Sequence, residues 1–319
     1  YTDGTASILL EPQSTNLVTY SEDFSSLSAV VGALVTSNQT TSPSGLLDAD
    51  EITFDGTLYG RVQTSISATN GATYSISVYL KNKDLSDVTQ VWLGFAQTGQ
   101  GQFVTITNEW QRHEITLAAN GTTEYPRIQF SGTGSLYAWG FQTEELPYST
   151  SYIPTNGAIA TRLADSVTGA GDATTFNSTE GVLYVEMAAL ADTITDRHMV
   201  SISDDTSSNS VFIRFGNASN LIEGRSRVGG ANVGITNFVV SDETEFHKIA
   251  YKRKLNDYAL WIDGVEVGTA TGVVASANTF NTLNFHNGTG SQLAEGKVKS
   301  VITFDTALTD AELQCLTTI

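Results

Sequence analysis

The chain has 319 residues, with 34 acidic against 16 basic side chains and a formal net charge of −18 at pH 7, a balance that repels phosphate backbones and sets nucleic acid aside as a partner. That length suits about two domains, while no apolar run approaches the roughly 18 residues needed to cross a bilayer, so membrane insertion is not expected. A single cysteine, Cys315, excludes an intrachain disulfide, and with only four histidines beside it no Cys/His metal cluster can be assembled.

Along the chain, short segments with apolar residues at alternate positions are separated by Gly, Asn, Asp and Ser, the pattern of an all-β sandwich. In LYGRVQTSI the alternation turns Val62 and Ile66 inward and Tyr59, Arg61 and Gln63 outward. In TYSISVYLKN it sets Tyr74, Ile76, Val78 and Leu80 against Ser75, Ser77 and Tyr79, which predicts one buried face and one wet face. In VWLGFAQ, Val91, Leu93 and Phe95 make the core side and Trp92 points away; in RIQF, Ile128 and Phe130 go in and Arg127 and Gln129 out. Trp110, Trp139 and Trp261 read as structural residues.

A Gly/Ser/Thr/Asn-rich stretch then changes the texture of the chain, and the domain boundary is placed at Asp165, giving domains 1–165 and 166–319. Beyond it, VFIRF turns Phe212 and Arg214 away from Val211, Ile213 and Phe215, and LIEGRSRV sets Glu223, Arg225 and Arg227 on a common side. His286 shares a face with Asn284, opposite Leu283 and Phe285. Asp242, Glu243 and Glu245 in SDETEFH read as a solvated turn. Helical periodicity is convincing only in LTDAELQCL, where Thr309 caps and Glu312 completes a capping box. The expected fold is all-β, two tandem β-sandwich (jelly-roll) domains with a short C-terminal helix.

Sugar sites pair flat aromatic faces with planar donors and acceptors. Two outward sets meet that description: Trp92, Tyr59, Arg61, Gln63, Arg127 and Gln129 in the first domain, and Phe212, Arg214, Arg225, Arg227 and His286 in the second. The competing reading of either set is an ordinary polar sheet face or a contact with another domain or subunit. The clustered arginines suit either an acidic sugar or a neighbouring subunit's carboxylates. The Glu-x-Asp-x-x-Glu strand of concanavalin-like glycosidases and the Gly-x-Ser-x-Gly signature of serine hydrolases are both missing from the sequence, so no catalysis is expected.

Residues 8–24, ILLEPQSTNLVTYSEDF, resemble the opening of a module common in tailed-phage structural proteins and prophage genes. YAWGFQTEE at 137–145 and SYIPTNGAIATRLAD at 151–165 resemble its end. Between these landmarks, NGATYSISVYLKN and NEWQRHEITL resemble jelly-roll carbohydrate-binding modules related to xylan- and glucan-binding domains. Residues 181–319, with GVLYVEMAAL, HKIAYKRKLNDYALWIDGVEVG and GKVKSVITFDTALTDAELQCL, resemble a concanavalin-like, laminin-G-type jelly roll.

These resemblances imply a non-catalytic tail-fibre or other virion-surface protein that binds host-surface glycan. Its further partners would be other virion proteins in a homo-oligomer, a trimer being favoured, and it would be extracellular if bacterial. The alternatives are a structural or decorating virion protein acting as spacer and oligomerisation unit, and a carbohydrate-binding appendage of a secreted bacterial polysaccharide-degrading enzyme. The resemblance also implies calcium. Glu22 and Asp23 with Glu144 match the usual edge site of the first fold, and Asp204 with Asp205 are a second option.

Overall fold

The computed structural model describes residues 6–84, 88–96, 99–193 and 197–319. The fold is all-β, jelly-roll-like antiparallel sheets packed in pairs, with a short C-terminal helix. Gln13–Leu163 form one unit, and Ala164–Ile319 form the other together with the N-terminal segment through Pro12. The segment before Gln13 therefore departs from the division at Asp165. Strand Ile8–Leu10 pairs with Gly296–Phe304, Ile8 opposite Val298 and Leu10 opposite Gly296, and Leu10 is buried in the core of the second unit. Three residues carry too little alternation to show which sandwich they join.

In the unit Gln13–Leu163, one five-stranded sheet runs in the order Gly101–Thr105, Gln90–Phe95, Pro126–Phe130, Gly60–Gln63, Ala29–Val31. The facing sheet runs Gln111–Ala118, Thr73–Asn82, Thr133–Glu144, Leu47–Asp55, Ala33–Thr41. Val62, Val91, Leu93 and Ile128 of the first meet Ile52, Ile76, Val78, Leu80 and Leu136 of the second in a core closed to solvent. Each such aliphatic side chain contributes about 1.5–3 kcal/mol.

In the second sheet the outer face of strand Thr73–Asn82 is closed at Ser75 and Ser77, contrary to the alternation in TYSISVYLKN: both are buried. The chain after Glu144 folds back over them. Ser75 Oγ donates to the Tyr148 carbonyl at 2.9 Å, Arg112 Nη2 bridges Ser77 Oγ (2.9 Å) and the Thr150 carbonyl (2.6 Å), and Thr116 Oγ1 donates to the Pro147 carbonyl (3.1 Å). Trp139 packs on Tyr79 and Tyr152, a structural role as expected. Within this unit the first sheet keeps its outer face open.

The second unit repeats that asymmetry. Its six-stranded sheet runs Ile8–Leu10, Gly296–Phe304, Gly181–Ala188, His247–Arg253, Tyr258–Ile262, Val265–Ala270, and its five-stranded sheet runs Ala231–Val239, Leu221–Val228, Ser210–Phe215, Arg197–Ser203, Thr282–Asn284. Leu183, Val185, Ile249, Tyr251 and Leu260 face Val211, Ile213, Phe215 and Ile222 across the core. Helix Asp310–Thr317 covers the outside of the six-stranded sheet, with Leu313 against Val182, Tyr184 and Trp261. Its N-terminus carries the anticipated box, Thr309 N–H donating to Glu312 Oε2 at 2.8 Å and Glu312 N–H to Thr309 Oγ1 at 3.4 Å. Cys315 lies exposed on this helix. The SDETEFH turn differs in one residue from its reading: Asp242 and Glu245 are exposed but Glu243 is buried, its N–H held by Asn220 Oδ1.

Candidate ligand-binding faces

Pairing across the open sheet of the first unit places Phe103 opposite Trp92, Trp92 opposite Gln129, and Gln129 opposite Arg61 in one row. The adjacent row is Gly101, Gly94, Arg127, Gln63. Directly paired residues share a face, so the outward assignments of Trp92, Arg61, Gln63, Arg127 and Gln129 agree with the register. The two glycines give the indole its bed. A Cβ on Gly101 would lie 2.4 Å from Trp92 Cζ2, and one on Gly94 would lie 2.5 Å from Cη2. The Arg127 guanidinium stands 4.8 Å from the indole centroid, a cation–π contact; burial, with Arg61 nearby, pushes Arg127 below its ordinary pKa.

Beside this fixed indole lies a groove of about 320 Å³ lined by Tyr59, Thr89, Gln90, Trp92, Phe103, Gln129, Phe130 and Ser131. Phe103 is 68% exposed and Tyr59 55%, so both rings are free to stack. Tyr59 gets there by a turn rather than by strand alternation: its φ is +64°, and its N–H donates to Ser131 Oγ. Arg61, Gln63 and Arg127 share the face but do not line the groove, and Arg61 Nε donates to Gln63 Oε1 at 3.0 Å. Phe103 and Gln90 were missed in the sequence. For Phe103 the signal exists, since Val104 and Ile106 are buried on alternate positions and leave it outward. Among the described residues, the groove is lined by rings, amides and hydroxyls, with no carboxylate, imidazole or amine.

On the open sheet of the second unit, Phe212 pairs with Arg225, Arg214 with Glu223 and Ser210 with Arg227, as the alternation anticipated. Glu223 joins two of the arginines, accepting from Arg214 Nε at 2.9 Å and Arg225 Nη2 at 2.8 Å. Both guanidiniums lie near the Phe212 ring, at 5.7 and 5.9 Å from its centroid. A groove of about 240 Å³ lies over Phe212, Arg214, Arg225 and Arg227, edged by Ser207, Ser210, Asn232, Asn287 and Gln292.

His286 is not among the lining residues, which corrects its assignment to the site. Its ring is buried and Nδ1 accepts the N–H groups of Gly288 (2.9 Å) and Gly290 (3.3 Å). It thus shapes the loop that carries Asn287 and Gln292. Burial holds His286 below the ordinary value of 6.5, against a smaller upward pull from Asp205. Burial lowers His113 likewise. The unfolded chain therefore takes up these protons first. Their contribution to stability is complete above about pH 6.5 and is lost as the pH falls through the window down to the folded pKa values. Thermal unfolding at pH 7.5, 6.5 and 5.5 is expected to show this decline, and His286→Asn to flatten part of it; a parallel profile in the variant would remove His286 as its source.

Of the residues considered for calcium, two share a groove. Glu22 and Asp23 line an acidic groove of about 290 Å³ with Asp48 and Asp50, where burial raises the Asp50 carboxyl against the N–H groups of Phe24 and Asn38. Asp23 caps a 3-10 turn through Ser25 and Ser26. Glu144 does not line that groove; it is buried and accepts from Ser14 Oγ (2.6 Å), Thr150 Oγ1 (2.5 Å), Thr150 N–H (2.9 Å) and Gln142 Nε2 (2.7 Å). Asp204 spends its carboxylate on Thr206 and Asn209 in its own loop, and Asp205 takes a left-handed φ of +60° there. Among the described residues, no group of three or more His, Cys, Asp or Glu side chains is placed to hold a metal ion.

The three landmarks of the first module instead meet in a buried polar clasp. Asn16 Nδ2 donates to the carbonyls of Phe141 (3.2 Å) and Ile153 (2.9 Å), while its Oδ1 accepts from Val18 N–H (3.1 Å) and Thr143 N–H (3.2 Å). Ser21 Oγ pairs with Tyr152 Oη at 2.6 Å, Thr155 N–H donates to Ser21 Oγ at 2.8 Å, and Tyr152 Oη donates to Glu22 at 2.9 Å. Residues from 14–22, 141–144 and 150–155 thus satisfy one another.

The chain is, then, a protein of two β-sandwich units, each with one open sheet face bearing a groove. No protein-family model and no curated protein matches it. Among solved structures, the CBM40 of the Ruminococcus gnavus IT-sialidase is similar, with 14% identity, a TM-score of 0.40, and coverage of 49% of this chain and 97% of that one. Domain 4 of a GH43 extracellular arabinanase from Geobacillus stearothermophilus, in complex with arabinotriose, has 12% identity and a TM-score of 0.37, covering 54% and 80%. A heptameric SAP-like pentraxin from Limulus polyphemus has 10% identity and a TM-score of 0.36, covering 43% and 69%.

Proposed function

We propose that the chain is a non-catalytic glycan-binding protein and that the groove beside Trp92 takes a neutral sugar. The observation that carries this reading is the pair of open rings, Phe103 and Tyr59, set next to an indole that the sheet already holds, with the amides of Gln90 and Gln129 at the same groove. Sugar C–H faces stack on such rings while amides and hydroxyls match hydroxyl pairs. The fixed indole limits the ordering cost of binding. On the resemblance at residues 8–24, 137–145 and 151–165 alone, we place the protein on the surface of a tailed phage, as a homo-oligomer recognising host glycan. A carbohydrate-binding appendage of a secreted enzyme would use the same groove, and neighbouring genes separate the two settings.

The test is calorimetric titration of the full chain with xylo-, cello- and arabino-oligosaccharides. Phe103→Ala is expected to weaken the best ligand at least about tenfold, roughly 1.4 kcal/mol, with unchanged thermal stability because the ring is mostly in solvent. Binding that survives Phe103→Ala and Trp92→Ala together, or no binding of any of these sugars at about 10 mM, would sink the proposal.

A further inference from the structure

The groove on the second unit differs in chemistry from the one beside Trp92. Phe212 is only 4% exposed, roofed by Arg214 and Arg225, so it offers no ring for a sugar face. What the groove offers is charge. Glu223 occupies Arg214 Nε and one nitrogen of Arg225. Among the described residues Arg227 reaches no carboxylate; its Nη2 donates to the Gly230 carbonyl at 3.1 Å. A guanidinium has five N–H donors in a fixed fork, so Arg225 and Arg227 keep most of theirs unspent. The result is a small positive island on a chain of net charge −18.

We infer that this groove is a second binding site, independent of the one beside Trp92, and that it takes a sugar bearing a carboxylate. A carboxylate matches the guanidinium fork in two parallel bonds and supplies countercharge, and Asn232 and Gln292 at the rim can read the neighbouring hydroxyls, Asn287 Nδ2 holding Gln292 Oε1 there at 3.3 Å. A neutral sugar would leave the excess charge unanswered. A densely charged polymer would meet repulsion from the rest of the acidic chain, so the ligand is an isolated acidic residue in an otherwise neutral glycan. A volume of about 240 Å³ is on the scale of one such residue.

The experiment titrates the full chain at low salt with the methyl glycosides of glucuronic, galacturonic and N-acetylneuraminic acid, each beside its methyl ester. At least one acid is expected to bind with Kd under about 1 mM, at least tenfold more tightly than its ester and more weakly as salt rises. Arg227→Gln is expected to lower that affinity about tenfold. Asn287→Ala, on a loop where it cannot unfold the sheet, is expected to lower it several-fold. Phe103→Ala should leave it unchanged, which separates this site from the neutral-sugar groove. Binding of none of the acids at about 10 mM, equal binding of acid and ester, or indifference to both the Arg227 and Asn287 changes overturns the inference. So does light scattering that shows Arg227→Gln dissolving an oligomer, because the arginines would then be serving a neighbouring copy.

Discussion

Asn16→Ala is expected to destabilise the first unit by about 4 kcal/mol, close to the upper end for a single substitution. The side chain is wholly buried and is the partner of four backbone groups, the carbonyls of Phe141 and Ile153 and the N–H groups of Val18 and Thr143. Alanine would remove all four bonds, and each buried group left unsatisfied costs about 1–3 kcal/mol; entry of water lowers the sum. Urea unfolding followed by tryptophan fluorescence suits the measurement, because Trp92, Trp110 and Trp139 all belong to this unit and only Trp261 to the other. A loss below about 1 kcal/mol, the worth of one ordinary hydrogen bond, would show that the clasp is not cooperative.

In the second unit, the largest effect is expected at Gly234. Its φ is +57°, and a Cβ there would sit 2.3 Å from Cδ1 of the buried Tyr258 ring. Tyr258 cannot swing aside easily, as its hydroxyl donates to the Val273 carbonyl at 2.6 Å, and neighbouring Tyr251 donates to the carbonyl of Gly234 itself. Gly234→Ala combines left-handed strain of about 1 kcal/mol with overpacking of about 1–3 kcal/mol. Gly230 provides the comparison: its φ is +84°, but nothing lies within 4 Å of an added Cβ, so alanine there meets only the strain. With about 2–4 °C per kcal/mol for a unit of this size, calorimetry should show a Tm shift for Gly234→Ala more than twice that for Gly230→Ala. Equal shifts would mean that room beside Tyr258 is not the constraint.

Much of this architecture can be read from alternation alone. Val91, Leu93 and Phe95 are buried and Trp92 lies on the opposite face, as a two-residue period requires; the same holds for Phe212 and Arg214 against Val211, Ile213 and Phe215. Alternation tells which face a residue takes, but not what covers that face. Ser75 and Ser77 are outward and still buried, because a segment some seventy residues later folds over them. Arg61 and Gln63 are outward yet spend their polar ends on each other.

The acidic and imidazole groups were the least legible. Glu144 invites a metal reading by its company in the motif, whereas its partners Ser14 and Thr150 lie far apart in sequence and come together only in the fold. His286 looks like a groove residue by strand parity, but the strand stops at Asn284 and the ring is turned into its own loop. In both cases the deciding contacts are local geometry or long-range closure, and neither leaves a periodic trace.

The pairing of Ile8–Leu10 with Gly296–Phe304 also decides how the protein bears load. The N–H of Glu11 donates to Asp165 Oδ2 and that of Asp165 to the Glu11 carbonyl, both at 2.9 Å. Within the first unit, Ser14–Asn16 likewise pairs with Ala160–Arg162. The chain thus leaves the second sandwich and returns to it at neighbouring points. Tension applied at Ser7 and Ile319 would fall first on the pairing of Ile8–Leu10 with Gly296–Phe304. Only after the short strand Ile8–Leu10 peeled from its partner would the Trp92 groove feel any pull.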